Sequence, residues 1–291
     1  MIAAVRPHEL PVVIVPVFNA LDMLDACLAS LDHTLPSAVR VLVADDASTD
    51  PRVARLLEDW MRRTQLAAGI VVRERNLGFV GNVNRSFAES GDADVVLLNS
   101  DTVTTKGWLQ RIAACAASDP RIATITPWSN NAEICSFPAL CEDNPVPDDP
   151  DRIADACASA GAPEYPELPT GVGFCMYIRR AALCQAGDFD AATFDRGYGE
   201  ENDFCMRVGG IGWRNVLCDD AYVVHAGNAS FGPLGERPGG ENMRRLLARW
   251  PDYQQRVAEF ILADPLRPLR DRIVRRLTQL QSPRAQSDLF D

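Results

Sequence analysis

Several kinds of group are scarce in this chain, and each scarcity excludes something. No apolar run in the 291 residues reaches the ~18 that a membrane-spanning helix needs. The run Val12 to Phe18 is strand-sized and interrupted by Pro16. Met1 to Leu10 lacks a basic region followed by an apolar stretch, so no signal peptide is expected and the expected location is the cytoplasm. Positive charge is in deficit: the net charge of −11 argues against a nucleic-acid partner, because phosphate contacts dominate that affinity. A bound diphosphate would then need local neutralisation, by a metal or by a few arginines. The nine cysteines are odd in number and include no C-x-x-C pair, which disfavours a zinc site or a disulfide framework and leaves buried, reduced thiols as the expectation. No G-x-G-x-x-G follows the first strand, against a dinucleotide-binding oxidoreductase. Asn19-Ala20-Leu21-Asp22 supplies neither the glycines nor the Arg or Lys expected of a nucleotidyltransferase activating loop.

What is present is an alternation of strand-like and helix-like segments. Val12 to Phe18 reads as a buried parallel strand, and Leu21, Leu24, Cys27, Leu28 and Leu31 follow at helical spacing. Val39 to Ala44 is a second strand. Asp50 caps a helix over Pro51 to Leu66, with proline at its first position. A third strand starts at Ile70 to Val72, a helix covers Phe79 to Glu89, and Asp94 to Leu98 and Ile122 to Thr126 are further strands. Loops and one short helix, Asp151 to Ala160, precede a strand at Gly171 to Arg179, a helix at Glu201 to Val208, and strands at Trp213 to Cys218 and Ala221 to His225. From Glu241 the pattern is helical. This order implies an α/β fold with a mostly parallel sheet covered on both faces. Ligands of such sheets lie outside the carboxyl ends of the strands, where Asn19, Asp45-Asp46, Asn76 and Asn99-Ser100-Asp101 all fall.

These clusters admit two readings. Aspartates after a strand often only cap the next helix. Asp46 is also placed to accept from a base or ribose, and Asp101 to supply a hard oxygen to Mg2+ or Mn2+. Of the three histidines, His8 and His33 lie in polar contexts, whereas His225 ends a strand and suits a metal ligand. In Gly197-Tyr198-Gly199-Glu200-Glu201-Asn202-Asp203 the acids favour a helix N-terminus, and Asp203 pairs with Arg207 at i,i+4. A glutamate there is also a candidate general base.

In order along the chain, Pro16-Val17-Phe18-Asn19, Asp45-Asp46-Ala47-Ser48-Thr49-Asp50, Asn76-Leu77-Gly78 with Asn82 and Asn84, Asn99-Ser100-Asp101, and Glu200-Glu201-Asn202-Asp203 through Arg207 resemble the motif series of the family 2 glycosyltransferases of GT-A fold. The resemblance runs from about Val12 to Gly232. His225-Ala226-Gly227 through Ser230 is similar to the H-x-G-x-x-S of rhamnosyltransferase-like bacterial members. It implies an inverting glycosyltransferase using a UDP- or dTDP-sugar, with dTDP-rhamnose as the first guess, and a growing surface glycan or lipid-linked glycan as acceptor. Phe18 would stack on the base. Asp46, with Asp45, would contact base or ribose. Pro16, Asn19, Asn76, Gly78, Asn84, Asn99, Ser100 and Gly171 would line the nucleotide-sugar pocket. Asp101 and His225 would hold the Mn2+ or Mg2+, and Glu201 would be the catalytic base, with Glu200 its rival. The chain departs from the family's D-x-D at Asn99, and from its commoner aspartate at Glu201. A non-catalytic sugar-nucleotide module of similar sequence is the reading of a different class.

The expected organisation is a catalytic domain over 1–235 and a C-terminal helical extension over 236–291. In the extension Leu269, Ile273, Leu277 and Leu280 form one stripe, among Arg270, Arg272, Arg275 and Arg276. Packing on the catalytic domain is the favoured reading. A peripheral membrane contact through 266–280, on the inner face, is the other.

Overall fold

A computed structural model describes residues 10–194, 197–227 and 240–281. The expectations for His8 and for Asn228 to Gly232 lie outside them.

Eight strands form one sheet in the order β3-β2-β1-β4-β7-β6-β8-β5. They are β1 (Val12–Val17), β2 (Arg40–Asp45), β3 (Ala67–Val72), β4 (Val95–Leu98), β5 (Thr102–Thr104), β6 (Ile122–Trp128), β7 (Cys175–Ile178) and β8 (Arg214–His225). β1 to β4 are parallel to one another, β7 runs antiparallel between β4 and β6, and β6 and β8 are parallel. The carboxyl ends of β1, β2, β4, β6 and β8 therefore share one edge. The expected pair of strands at Trp213 to Cys218 and Ala221 to His225 is one strand, β8. The intervening Asp219 and Asp220 are buried but compensated, Asp219 by the Glu164 and Tyr165 amides and Asp220 by Arg111. Three residues, Thr102–Thr104, give too little pattern to betray β5, which lies antiparallel on β8 with Thr102 opposite His225.

Alternation along the central strand makes three layers. Val13, Val15 and Val17 point to one core, Val12 and Ile14 to the other. On the first face lie α1 (Leu21–Thr34), α2 (Pro51–Arg63), α4 (Trp108–Ser118), α5 (Pro150–Ser159) and α11 (Arg267–Gln281). On the second lie α3 (Gly78–Glu89), α6 (Arg180–Ala186), α7 (Ala191–Phe194), α8 (Glu200–Gly210) and α9 (Glu241–Arg249), with Tyr253 of α10 (Tyr253–Ala263). The expected cap holds: Asp50 accepts from the Arg52 amide at 2.9 Å, ahead of Pro51.

The C-terminal helices pack on both faces. Asp203 is fully buried; it pairs with Arg207 at 2.8 Å and Arg249 at 2.9 Å and accepts from the Trp250 indole, tying α8 to α9. The stripe of α11 turns inward: Leu269 and Ile273 are buried beside α5, while Leu280 stays exposed. Arg270 pairs with Asp264, Arg272 with Glu164 and Asp219, and Arg276 donates to Ser159. The basic face that a membrane contact would use is thus largely engaged by the protein itself. Among the described residues no helix is long and apolar enough to cross a membrane.

Candidate active site

The β2–α2 turn is a closed bracket. Asp45 accepts from the Ser48 amide at 3.0 Å and its hydroxyl at 2.5 Å. Asn19, at φ 57, accepts from the Thr49 and Asp50 amides at 3.0 and 3.1 Å, so its side chain fastens the end of β1 to the β2 turn. Phe18 beside it is half-buried, and Pro16 lies opposite Ala44 within β1. Asp46 is buried and accepts from the Leu77 amide at 2.7 Å, while Asn76 donates to the Asp46 carbonyl and accepts from the Gly78 amide at the start of α3. Burial lifts the Asp46 carboxyl above its ordinary value, against the Leu77 and Gly78 amides. Both ends of the Asn84 amide engage the Phe189 backbone, at 2.7 and 3.1 Å. It positions the α6–α7 connection.

At the end of β4, Asn99 and Ser100 lead to Asp101, which is 4% exposed. Its Oδ1 has no hydrogen-bond partner among the described residues and lies 3.5 Å from His225 Nε2. His225 is fixed from four sides. Its Nδ1 is 2.6 Å from the Asn131 carbonyl, which requires a proton on Nδ1 and turns Nε2 toward Asp101. Asn130 accepts from its amide at 2.9 Å and donates to its carbonyl at 2.9 Å. Its ring stacks on Phe174, and Thr102 pairs with it across the strands. Gly227, at φ 70, closes the turn after β8, and a Cβ there would run into the Asn131 side chain. Burial favours the neutral imidazole, but the Asp101 carboxylate opposes it, and the balance lies above the ordinary histidine value.

A buried, unpartnered carboxylate oxygen beside an oriented imidazole nitrogen fits two protein ligands to a divalent cation whose remaining ligands come from phosphates and water. Among the described residues no third His, Cys, Asp or Glu joins them. Such a cation would depend on the ligand that it helps to hold.

A second centre lies at the N-terminus of α8. A cavity of about 80 Å3 is lined by Glu201, Asn202, Thr170, Glu133, Asn242 and Tyr253, among others. Gly199, at φ 120, starts the helix. A Cβ there would press on Phe194 at 3.1 Å, so only glycine presents the two glutamates in this way. The two differ sharply. Glu200 is 4% exposed, and its Oε2 has no hydrogen-bond partner among the described residues. Burial, then the adjacent Glu201 charge, pushes its carboxyl well above the ordinary glutamate value, toward the neutral form. Glu201 lines the cavity and accepts from the Gly199 amide, and burial also raises it, by less. Gly171, expected in the nucleotide-sugar pocket, lines this cavity, its amide on Cys205 Sγ at 3.1 Å.

Adjacent residues join the two centres. A Cβ on Gly173 would sit 3.7 Å from Glu201 Cγ, and the next residue, Phe174, stacks on His225. The loop after β6 does the same from the other side: Asn130 and Asn131 hold His225, and Glu133 lines the Glu201 cavity. These residues belong to none of the motifs noted in the sequence. Their signal was positional, since Ser129-Asn130-Asn131 follows the carboxyl end of β6.

The chain is similar to N-acetylglucosaminyl-diphospho-decaprenol L-rhamnosyltransferase of Mycobacterium tuberculosis, 27% identical over 245 residues that cover 74% of this chain and 75% of the relative. Its fold is similar to GalNAc-T7 with UDP, GalNAc and Mn2+ (TM-score 0.62, 14% identity), covering 91% of this chain and 54% of that one. It is also similar to TarS 1-349 of S. aureus in complex with UDP-GlcNAc (TM-score 0.55, 20% identity, 80% and 60% covered). The mannosyltransferase PcManGT of Pyrobaculum calidifontis with GDP-Man and Mn2+ matches at TM-score 0.54 and 16% identity, over 96% of this chain and 79% of that one. These structural likenesses establish the GT-A fold. The family model for glycosyl transferase family 2 matches residues 12–184, more than half of the chain, and this protein is a member of that family of glycosyltransferases.

Proposed function

We propose that the chain is a metal-dependent, inverting glycosyltransferase that takes a sugar from a UDP- or dTDP-sugar, dTDP-rhamnose first among them, to a hydroxyl of a glycan or lipid-linked glycan. The observation that carries this reading is the link through Gly173 and Phe174, which sets one candidate base and one candidate metal pair side by side. A single base facing a leaving diphosphate suits in-line attack and inversion, with no second carboxylate as nucleophile.

On this reading each residue has a role. Asp46 and Asn76 border the donor's base and ribose, with Phe18 available to stack. Asn19, Asp45, Gly78 and Asn84 hold the loops that carry them. Asn99 and Ser100 lead the chain to Asp101, which with His225 would hold Mn2+ or Mg2+. The bound cation would neutralise charge developing on the departing diphosphate. Glu201 accepts the proton of the acceptor hydroxyl as it attacks the anomeric carbon. Glu200 beside it is pushed toward its neutral form by burial and by the Glu201 charge. Residues 236–291 act as an extension whose helices complete the acceptor side through Asn242 and Tyr253. The relative that uses a decaprenol-linked acceptor supports a lipid-linked glycan.

The test is turnover with a panel of UDP-, dTDP- and GDP-sugars in Mn2+ or Mg2+, reading nucleoside diphosphate release and the product's anomeric configuration by NMR. Release from one donor class with configuration opposite to the donor's is expected. No release from any donor, or retained configuration, overturns the reading.

A further inference from the structure

A groove of about 670 Å3 lies farther along the helix that carries Glu201. Three elements supply residues first to the cavity and then to the groove. On α8 these are Glu201 and Asn202, then Cys205, Met206 and Gly209. On the segment entering β7 they are Val172 and Thr170, then Pro169 and Glu167, where Glu167 pairs with Val216 along β8. At α10 Tyr253 faces the cavity, while Asp252, Arg256, Glu259 and Phe260, spaced i, i+4, i+7 and i+8, face the groove. Glu201 to Gly209 spans eight residues of helix, about 12 Å of travel away from the base.

The lining is chemically specific. Trp213 and Trp250 both border the groove, and their indole N–H groups are already engaged, by Gln185 and by Asp203. What they offer a ligand is ring surface. Around them stand paired charges: Arg214 with Glu167 at 2.6 Å and Asp119 at 2.9 Å, and Arg256 with Asp252 at 2.6 Å. Glu259 adds one further acid. Each guanidinium is already matched by a carboxylate, so the groove has little to attract a phosphate or a uronate. A neutral sugar residue fits, because it has an apolar C–H face to lay on an aromatic ring and hydroxyls at its edge to bond to charged groups.

We infer that this groove is an extended acceptor subsite that binds the neutral sugar residues preceding the one that receives the transferred sugar. The inference rests on the reading of Glu201 as the acceptor-side base. The acceptor enters with its terminal residue at Glu201, and its remaining chain lies along α8 against Trp213 and Trp250. Affinity then rises with acceptor length, and Trp213 contributes to binding without touching the reacting atoms.

The test is binding of the full chain to an array carrying neutral oligosaccharides of one to four residues, uronate-containing oligosaccharides, and an N-acetylglucosaminyl diphosphate with a short prenyl tail. Wild type should retain neutral oligosaccharides of two or more residues better than the corresponding monosaccharides. Trp213→Ala should cut that retention by about tenfold, the scale of one lost aromatic contact, and Trp213→Phe should restore most of it. Arg256→Ala, an exposed change, should weaken the same ligands, and nucleoside diphosphate binding by every variant should match wild type. Length-independent retention, retention only of uronates or of the prenyl diphosphate, or retention untouched by both Trp213→Ala and Arg256→Ala overturns the inference. If the array shows the expected length dependence while Glu201→Gln transfers sugar at the wild-type rate, the base assignment fails and the subsite stands.

Discussion

The imidazole of His225 stacks on the ring of Phe174, centroids 5.1 Å apart and planes 27° apart, at the point where the chain has just passed Glu201. One stacking contact thus sets the distance between the group that would bind the metal and the group that would take the proton. A shift of Phe174 would move both ends of the site together.

His225→Ala should raise the Mn2+ concentration needed for half-maximal turnover by at least about tenfold, the scale seen when support of a metal ligand is lost. Chelator should abolish wild-type turnover, and Mn2+ or Mg2+ should restore it. Full turnover in excess chelator, or an unchanged titration in the variant, would remove Asp101 and His225 from metal binding.

Glu201→Gln should lower kcat by ~10²–10⁴-fold, because the amide keeps the shape but cannot accept the proton. Glu200→Gln should remain within about tenfold of wild type, since burial and the Glu201 charge both favour the neutral carboxyl, of which an amide is a close mimic. A dead Glu200→Gln beside an active Glu201→Gln would reverse the two roles.

The acid limb of the rate should lie higher than for an ordinary carboxylate. Glu201 works as a base only when ionised, and burial raises its pKa, so activity is lost as pH falls through a value above about 4.3. The check is kcat/KM against pH with fold followed by circular dichroism; a profile flat through this range, with the fold intact, would contradict it.

Truncation after Asp264 should unfold the chain or lower its stability severely. It removes Leu269 and Ile273, whose burial is worth roughly 1.5–3 kcal/mol each, and leaves buried Asp219 without Arg272. Urea unfolding measures the loss. A truncated chain with wild-type stability would show α11 to be dispensable and return its basic stripe to a surface role.

The sequence by itself determined the layered fold and the edge where the chemistry lies. The β1 run Val12 to Val17 can be buried only between two layers, Asp50-Pro51 sets a helix start by local bonds, and the motif carboxylates follow strand ends. These features are local, so spacing and residue type suffice to read them. Only the tertiary structure decided which groups share a site and in what state of charge. Asn19 and Asn84, expected beside the nucleotide sugar, also brace loops, through partners at Thr49 and Phe189 that lie 30 and 105 residues away. Gly171 lines the same cavity as Glu201, because its neighbours Thr126 and Cys205 come from β6 and α8. Glu200 and Glu201 are adjacent and identical in type. Burial and the charge that each presents to the other set them apart, and both depend on everything packed around them.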